Sequence, residues 1–300
     1  MPFHEGELAV QERAGVLTDA ARIGKFLRRR IPPAAQAFLT GRRFAVLAAR
    51  VPDGAVWTSI LAGQLPFLTS DTEGRVLRIA AIPRSNDPIA PGLVVDASIG
   101  VLAIDFEAAR RFRVNGHLTG VGPDALVVQV EEAFANCPKY IQAYVPRADA
   151  QVPAESPRSS PSLGAEQAAW ITRADVFFLG TAHPIAGTDA SHRGGAPGFV
   201  RVVSPAELAW GDYSGNAMFQ SLGNASVQPQ AGLLFLDPEG GSTLQLTGTV
   251  SIDWSAAAAA QIPGAERVAR FHVTQVVETR SAIPLRWTLS KPSRFNPRAR

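Results

Sequence analysis

The sequence predicts a mainly β chain built from two copies of one barrel domain, with short helices confined to its edges. One observation is an internal repeat, which is sought before any local motif is read. At a single ungapped offset Gly63 and Phe67 fall on Gly195 and Phe199, Gly100, Leu102 and Asp105 fall on Gly232, Leu234 and Asp237, and Gly116 falls on Gly248. A second is a run of short β-branched or alternating segments, bounded by Gly, Pro, Asp or Asn at roughly even spacing. That is the pattern of a barrel rather than of a βαβ fold. The third is that helical signals fall only before, between and after these segments.

The elements follow in order. Residues 14–27 read as an amphipathic helix, and residues 33–40 as a second with Pro33 in its first turn. The first copy offers strands at 44–49, 76–82, 100–105, 112–121 and 126–134, with PDG at 52–54 as a hairpin signal. Residues 136–145, NCPKYIQAYV, read as a closing helix with Asn136 as N-cap and Pro138 in its first turn. The Pro- and Ser-rich stretch 146–164 reads as an exposed linker. The second copy offers strands at 176–182, 197–203, 231–237, 244–254 and 269–279, with a turn signal, PEGG, at 238–241. The expected organisation is an N-terminal helical extension (1–34), a first barrel (35–145), the linker (146–164), a second barrel (165–290) and a basic tail (291–300).

Composition narrows the class. Of 300 residues 46% are hydrophobic and 18% charged, which excludes wholesale disorder, collagen and disulfide scaffolds. Cys137 is the single cysteine, so no internal disulfide forms. Residues 1–22 carry Glu5, Glu7 and Glu12 without an apolar centre, and no apolar run is long enough to span a bilayer. The expected compartment is the cytoplasm, with no membrane partner. The net charge is +3, and nearly all basic residues are arginine. That fits a GC-rich coding bias; it also fits an anion-attracting surface formed by Arg28, Arg29 and Arg30 with Arg294, Arg298 and Arg300. No aromatic platform, zinc-ligand spacing or zipper accompanies them, so nucleic acid is not expected.

No GxGxxG, Walker A, HExxH, CxxC or GxSxG motif is present, and GDYSG at 211–215 places its serine one position late. His4, His117, His183 and His272 have no metal-ligand spacing, so no metal is expected. Function is expected where the copies differ, since shared positions serve the fold. Asp189, His192 and Arg193 stand where the first copy has Trp57, Ile60 and Leu61, while Ser191 matches Ser59. A hydroxyl, a histidine and an arginine fork, followed by Gly194 and Gly195, suit a phosphate or ribityl chain. The other reading is a polar edge strand with a glycine bulge. Residues 212–235 also diverge, and read as a short helix flanked by Asn216 and Asn224 with Ser221 between them. These polar groups suit a cofactor's polar edge, or plain capping and turn chemistry. At the start of NCPKY, Cys137 offers either a thiol near a positive helix end or a buried structural cysteine.

Three segments, DASHRGGAPGFV (189–200), YSGNAMFQSLGN (213–224) with AGLLFLD after it, and NCPKYIQ (136–142), resemble the pyridoxamine 5'-phosphate oxidase-related, FMN-binding split-barrel family in its duplicated branch. The resemblance covers roughly residues 35–255. It implies a six-stranded Greek-key split barrel per copy, and FMN at a seam between barrels. That seam is a homodimer interface in ordinary members and an intrachain pseudo-dimer here, with a further homodimer as an added expectation. Arg193, with Ser191, resembles the family's flavin-contacting strand, and His192 and Gly194 beside them are expected cofactor contacts. The Asn216, Ser221 and Asn224 segment resembles the stretch that holds phosphate and ribityl. The family's C-terminal Trp and Arg pair is unmatched, because Arg286 and Trp287 are adjacent, which argues against pyridoxamine phosphate as substrate.

The site is expected mainly on the second copy. The segment after Asn136 is expected to cross toward it, bringing Lys139 and Tyr140 beside the flavin ring. His192 is the candidate acid, because an imidazole titrates near neutrality. The expected function is a non-covalent FMN protein, with deazaflavin or haem as other cofactors, passing hydride or electrons to a small-molecule substrate from a nicotinamide or protein donor. The alternative is a flavin or haem module that binds or senses without turnover.

Overall fold

Strands β1 (Phe44–Arg50), β2 (Val56–Ala62), β3 (Leu68–Ser70), β4 (Val76–Ile79), β5 (Ser98–Asp105), β6 (Arg110–Val121) and β7 (Leu126–Ala135) form one antiparallel sheet in the order β2-β1-β5-β6-β7-β4-β3. This is a computed structural model, and it describes residues 2–297. After β8 (Ala143–Pro146) and β9 (Arg158–Ser160) the pattern recurs as β10 (Val176–His183), β11 (Gly187–Gly194), β12 (Val200–Ser204), β13 (Glu207–Asp212), β14 (Gln230–Leu236), β15 (Thr243–Asp253) and β16 (Arg267–Thr279). Their order is β11-β10-β14-β15-β16-β13-β12, element for element that of the first sheet. Gly116 and Gly248 each sit at a β-bulge in matching strand pairs. The chain is thus a tandem of two split β-barrels. Each has seven strands on its path, rather than six, because the short end strands β3 and β12 complete it.

Each sheet curls around its own core. Ala45, Leu47 and Ala49 of β1 and Ile99, Val101 and Ala103 of β5 join Phe67, Leu77 and Val128 inside the first barrel. Phe177 and Leu179 of β10 and Leu233 and Phe235 of β14 do the same in the second, with Trp210 and Phe271. The alternate residues on those strands face the other barrel: Phe44, Val46, Ala48, Leu102 and Ile104 pack against Val176, Phe178, Leu234 and Leu236. Strands buried on both faces lose the polar alternation of a half-exposed sheet. That is why these segments read as continuous apolar runs.

The two barrels meet backbone to backbone about a pseudo-twofold axis. A Cβ on Gly100 would lie 2.6 Å from the Ala190 nitrogen, and one on Gly232 would lie 2.6 Å from the Val56 carbonyl oxygen and 2.9 Å from the Thr58 nitrogen. Thr58 and Ala190 are themselves repeat partners, and Thr58 Oγ1 donates to the Gly232 carbonyl at 2.9 Å. A further strand, β17 (Trp287–Lys291), pairs with β8 and brings Trp287 against Phe44 at 5.2 Å between rings.

Several local readings differ from the structure. The helix read over 14–27 is shorter, α2 (Leu17–Gly24), and a helix not read from the sequence, α1 (Glu5–Arg13), precedes it, the two separated by a turn at Gly15, whose φ is +71°. α3 (Pro33–Thr40) matches its reading. Residues 136–145 are not a helix: Tyr140 takes φ 66°, and the turn at Lys139 and Tyr140 leads into β8. Within 146–164, β9 adds to β16. α4 (Ala165–Arg173) and α6 (Ala256–Ala260) complete the periphery with α5 (Gln220–Val227). Arg28, Arg29, Arg30 and Arg294 are exposed, while Arg298 and Arg300 lie outside the described residues. Among the described residues no helix is long and apolar enough to cross a membrane.

Since no Cβ fits at Gly100 without moving backbone of the opposite barrel, Gly100→Ala should cost about 1–3 kcal/mol in urea denaturation. A loss below about 0.5 kcal/mol, the range of an ordinary surface change, would mean that the barrels separate easily.

Candidate functional site

The two-residue period of β11 places Asp189, Ser191 and Arg193 on one face and Ala190 and His192 on the other. Ala190 joins the apolar contact between barrels, and the ring of His192 lies 5.9 Å from that of Phe178. In the first copy the matching positions of β2 are filled differently: Trp57 and Leu61 pack in the barrel core, and Ile60 in the contact between barrels. β6 supplies the opposing surface. Its Phe112 and Val114 point into the first core, so Arg111, Arg113 and Asn115 point outward, toward β11.

A cavity of about 80 Å³ lies where β6 meets β11. It gathers six of the nine residues expected to contact the cofactor: Lys139, Tyr140, His192, Arg193, Gly194 and Asn216. To these it adds Arg111, Arg113, Asn136 and Cys137 from the first copy, and Trp210, Asp212 and Tyr213 from the second. The wall therefore takes residues from both copies, more of them from the second than from the first, and β6 contributes because it runs along the seam. The segment after Asn136 does reach this wall, as an irregular turn: a Cβ on Gly194 would lie 2.0 Å from the Tyr140 carbonyl oxygen. Tyr140 packs on Tyr213 with ring centroids 5.3 Å apart, and its hydroxyl donates to the Ser214 carbonyl at 3.0 Å. With no helix here, the argument for a dipole-activated Cys137 falls away; its Sγ accepts from the Lys139 N–H at 3.3 Å.

Cations outnumber their partners. Arg113 Nη1 donates to both oxygens of Asp189 at 3.0 and 3.1 Å, and to Gln220 Oε1 at 3.4 Å. Arg193 and Arg267 share Asp212, at 3.3 and 2.8 Å. Arg111 has no carboxylate within ion-pair distance among the described residues; its Nη1 donates to His192 Nδ1 at 2.8 Å. Burial, with Arg113 and Arg193 nearby, pushes the Arg111 guanidinium down to about 9. Eight of the nine buried side-chain polar atoms that lack a partner among the described residues belong to this seam: those of Arg111, Arg113, Asn115, Asn136, His192, Arg193, Gln220 and Arg267.

His192 does not titrate near neutrality. Burial, then the charges of Arg111, Arg193 and Arg113, hold its imidazole well below the ordinary histidine range. Because Nδ1 accepts from Arg111, the ring proton sits on Nε2, whose N–H has no partner. At neutral pH this side chain is a hydrogen-bond donor and not a general acid.

Ser191, Ser221 and Asn224 lie outside this cavity. Ser221 Oγ donates to Asp189 Oδ2 at 2.8 Å and lies 2.9 Å from Ser191 Oγ, behind the wall. The helix expected between Asn216 and Asn224 starts later, as α5, since Ala217 and Phe219 have positive φ and Asn216 Oδ1 accepts from the Met218 N–H. Asn224 is thereby inside the helix and faces a second cavity of about 280 Å³, which begins on the far side of the Arg113–Asp189 pair. There α1 docks on α5 so closely that a Cβ on Gly6 would lie 2.4 Å from the Gly223 oxygen. His4, Glu5 and His183 cluster at its rim. Each imidazole accepts backbone N–H bonds at Nδ1, His4 from Gly6 and His183 from Ile185 and Ala186. Each Nε2 therefore carries the proton, donated to Asn224 and Glu5 respectively, and offers a metal no lone pair.

Neither a protein-family model nor a curated protein matches the sequence. Among solved structures the chain is similar in fold to several, including these three. One is a Clostridium acetobutylicum protein related to general stress protein 26 of the pyridoxinephosphate oxidase family: 11% identity, 41% of this chain, 92% of that one, TM-score 0.31. Another is an FMN-binding protein of Syntrophomonas wolfei: 8% identity, 38% and 84% covered, TM-score 0.30. A third is an FAD-binding protein of Mesorhizobium loti: 14% identity, 41% and 97% covered, TM-score 0.29. No residue role passes from them to this chain.

The second cavity gives stability a pH dependence. Burial pushes the Glu7 carboxyl up to about 8, opposed by the His4 N–H that it accepts and reinforced by Glu132 and Asp189. Its folded value lies above its ordinary 4.5, so the native state keeps a proton that the unfolded chain releases. Stability should therefore fall as pH rises from about 5 to about 8, and Glu7→Gln should flatten that fall in urea midpoints measured across the range. An equally steep fall in Glu7→Gln would assign the effect to another group.

Proposed function

We propose that the chain binds FMN, or a like phosphate-bearing flavin, non-covalently at the β6–β11 seam and uses it to pass hydride or electrons to a small substrate. The observation that carries this reading is Arg111, a guanidinium packed among Arg113, Arg193 and His192 without a carboxylate of its own. Burying an uncompensated cation is costly, and a dianionic phosphate with several acceptor oxygens removes that cost. Arg111, Arg193 and Lys139 would hold the phosphate, the His192 Nε2–H would donate to an acceptor, and Tyr140 and Tyr213 offer aromatic faces. The donor set thus fits the group, although the cavity of about 80 Å³ admits little beyond an anionic head as it stands. A bound flavin supplies hydride and electron transfer; these side chains bind, orient and exclude water.

The narrow cavity and a His192 held well below the ordinary histidine range favour a second reading, in which flavin is bound without turnover. The two separate in the visible spectrum under a nicotinamide donor: bleaching of the flavin band supports the oxidoreductase, and a band that stays oxidised supports the binding module.

Arg111 also distinguishes a ligand site from a structural cluster. Arg111→Met should weaken FMN at least ten-fold in fluorescence titration, corresponding to the roughly 1.5–3 kcal/mol of a charge-assisted bond, while leaving the melting temperature unchanged or raised. Arg193→Ala should weaken FMN similarly but lower stability, because it strips Asp212 of one partner. Unchanged FMN affinity in both would place the cofactor elsewhere.

A further inference from the structure

The cavity on the far side of the Arg113–Asp189 pair has the opposite electrostatic character from the seam cavity. Glu7, Glu132 and Asp189 line it with Asn115, Gln220 and Asn224. Among the described residues its guanidinium neighbour is Arg113, whose Nη1 is already engaged by Asp189 and Gln220. Two of the lining side chains, Asn115 and Gln220, are 7% and 6% exposed and keep a polar atom without a partner, an acceptor at Asn115 Oδ1 and a donor at Gln220 Nε2. Asn115 Nδ2 is engaged by Glu132 at 3.2 Å, and Gln220 Oε1 by Arg113, so the amides are oriented from behind.

We propose that this cavity binds a small organic cation, a protonated amine that also carries a hydroxyl or carbonyl acceptor. The ammonium supplies the charge that the carboxylates lack and a donor for Asn115 Oδ1; the acceptor meets Gln220 Nε2. A metal ion satisfies neither the Gln220 N–H nor the geometry. Among the described residues the carboxylates of Glu7, Glu132 and Asp189 do not converge on one point, and the one convergent group, His4, Glu5 and His183, has its imidazole lone pairs occupied. A neutral polyol would meet the amides but leave the carboxylates crowded in a desolvated space, where burial already raises Glu132 as well as Glu7. The volume of about 280 Å³ is at the small end of ligand sites.

Protons report on the same arrangement. The groups facing Glu7 are His4 of its own segment, Glu132 of β7, Asp189 of β11 and, through Asp189, Arg113 of β6. Of these only Arg113 is a fixed cation, and His4 is held below the ordinary histidine range by burial and by His183. A bound ammonium therefore drives Glu7 to ionise and release a proton at neutral pH.

Ethanolamine is a suitable probe, with propane-1,2-diol and acetate as neutral and anionic controls, in calorimetric titration of the full chain. The expected result is millimolar or tighter binding of ethanolamine alone, with proton release at about pH 7 seen in buffers of different ionisation heat. Glu132→Gln, which keeps the Asn115 contact, should weaken it at least ten-fold; Glu7→Gln should abolish the proton release, and serves where Glu132→Gln melts below the wild type. Binding of the diol or acetate as tight as that of ethanolamine, no binding of ethanolamine at millimolar concentration, or undiminished binding in a normally folded Glu132→Gln protein would overturn the proposal. Each of these leaves the flavin reading, tested through Arg111, standing.

Discussion

The contact between the barrels rests on two places where side chains are absent. At Gly100 and Gly232 a strand of one barrel lies directly on backbone of the other, at distances that no Cβ tolerates. That approach buries β1, β5, β10 and β14 on both faces and draws the apolar residues between the sheets into one contact layer. It also fixes how β6 faces β11 and how β15 faces β2, since each pair is attached to the same sheets a strand or two away. The seams are thus a consequence of the glycine contacts, and their chemistry is decided by what the outward positions of β6 and β15 carry.

Those positions carry different things. Arg111 and Arg113 on β6 correspond to Thr243 and Gln245 on β15, and His192 and Arg193 on β11 correspond to Ile60 and Leu61 on β2. In the second seam the short polar groups satisfy one another. Gln245 Nε2 donates to the Thr58 carbonyl at 3.1 Å and to Asp87 Oδ1 at 3.2 Å, and Ser59 Oγ donates to Asp87. These polar groups have partners, although a cavity of about 150 Å³ lies beside them. In the first, guanidinium groups are packed beside one another with fewer acids than bases, and unpaired nitrogens collect there. Polar groups in a low-dielectric setting are costly when unpaired, so the contrast between seams of one architecture supports the proposed ligand site without reference to any relative.

The duplication was legible because shared core positions recur at a fixed spacing, and Gly100 with Gly232 recurred for the steric reason just given. Strands β2 and β11 were not, as strands: β2 is apolar through Trp57, Ile60 and Leu61, and β11 mixes Asp189, His192 and Arg193, so neither alternates. Comparing the copies still singled out β11, since a position that is apolar in one and charged in the other has no common structural reason. Arg111 and Arg113 escaped notice because the comparison was confined to the stretches around 187–235. The pattern RRFRVN, charged residues alternating with Phe112 and Val114 on a strand, is the signal that would have found them. The irregular turn at Lys139 and Tyr140 was masked by helix-like punctuation, an asparagine followed by a proline. What decided against the helix is tertiary: the Tyr140 carbonyl is pressed against Gly194.

Joining the copies in one chain is what allows the seams to differ. In a symmetric homodimer every seam residue occurs twice, so a cluster such as Arg111, Arg113 and Arg193 would burden both seams with the same unpaired cations. With two copies under separate sequence control, the polar groups of one seam, Asp87, Ser59 and Gln245, are paired with one another while the other keeps its surplus charge. The apolar contact layer between them is common to both. The same decoupling gives the open seam its two unlike compartments. Asp189 pairs with Arg113 from the side of the second cavity, which leaves Arg111 and Arg193 to face the proposed anion on one side and Glu7 and Glu132 to face the proposed cation on the other. A single buried ion pair is then the partition between two sites of opposite charge, and its loss would be felt by both.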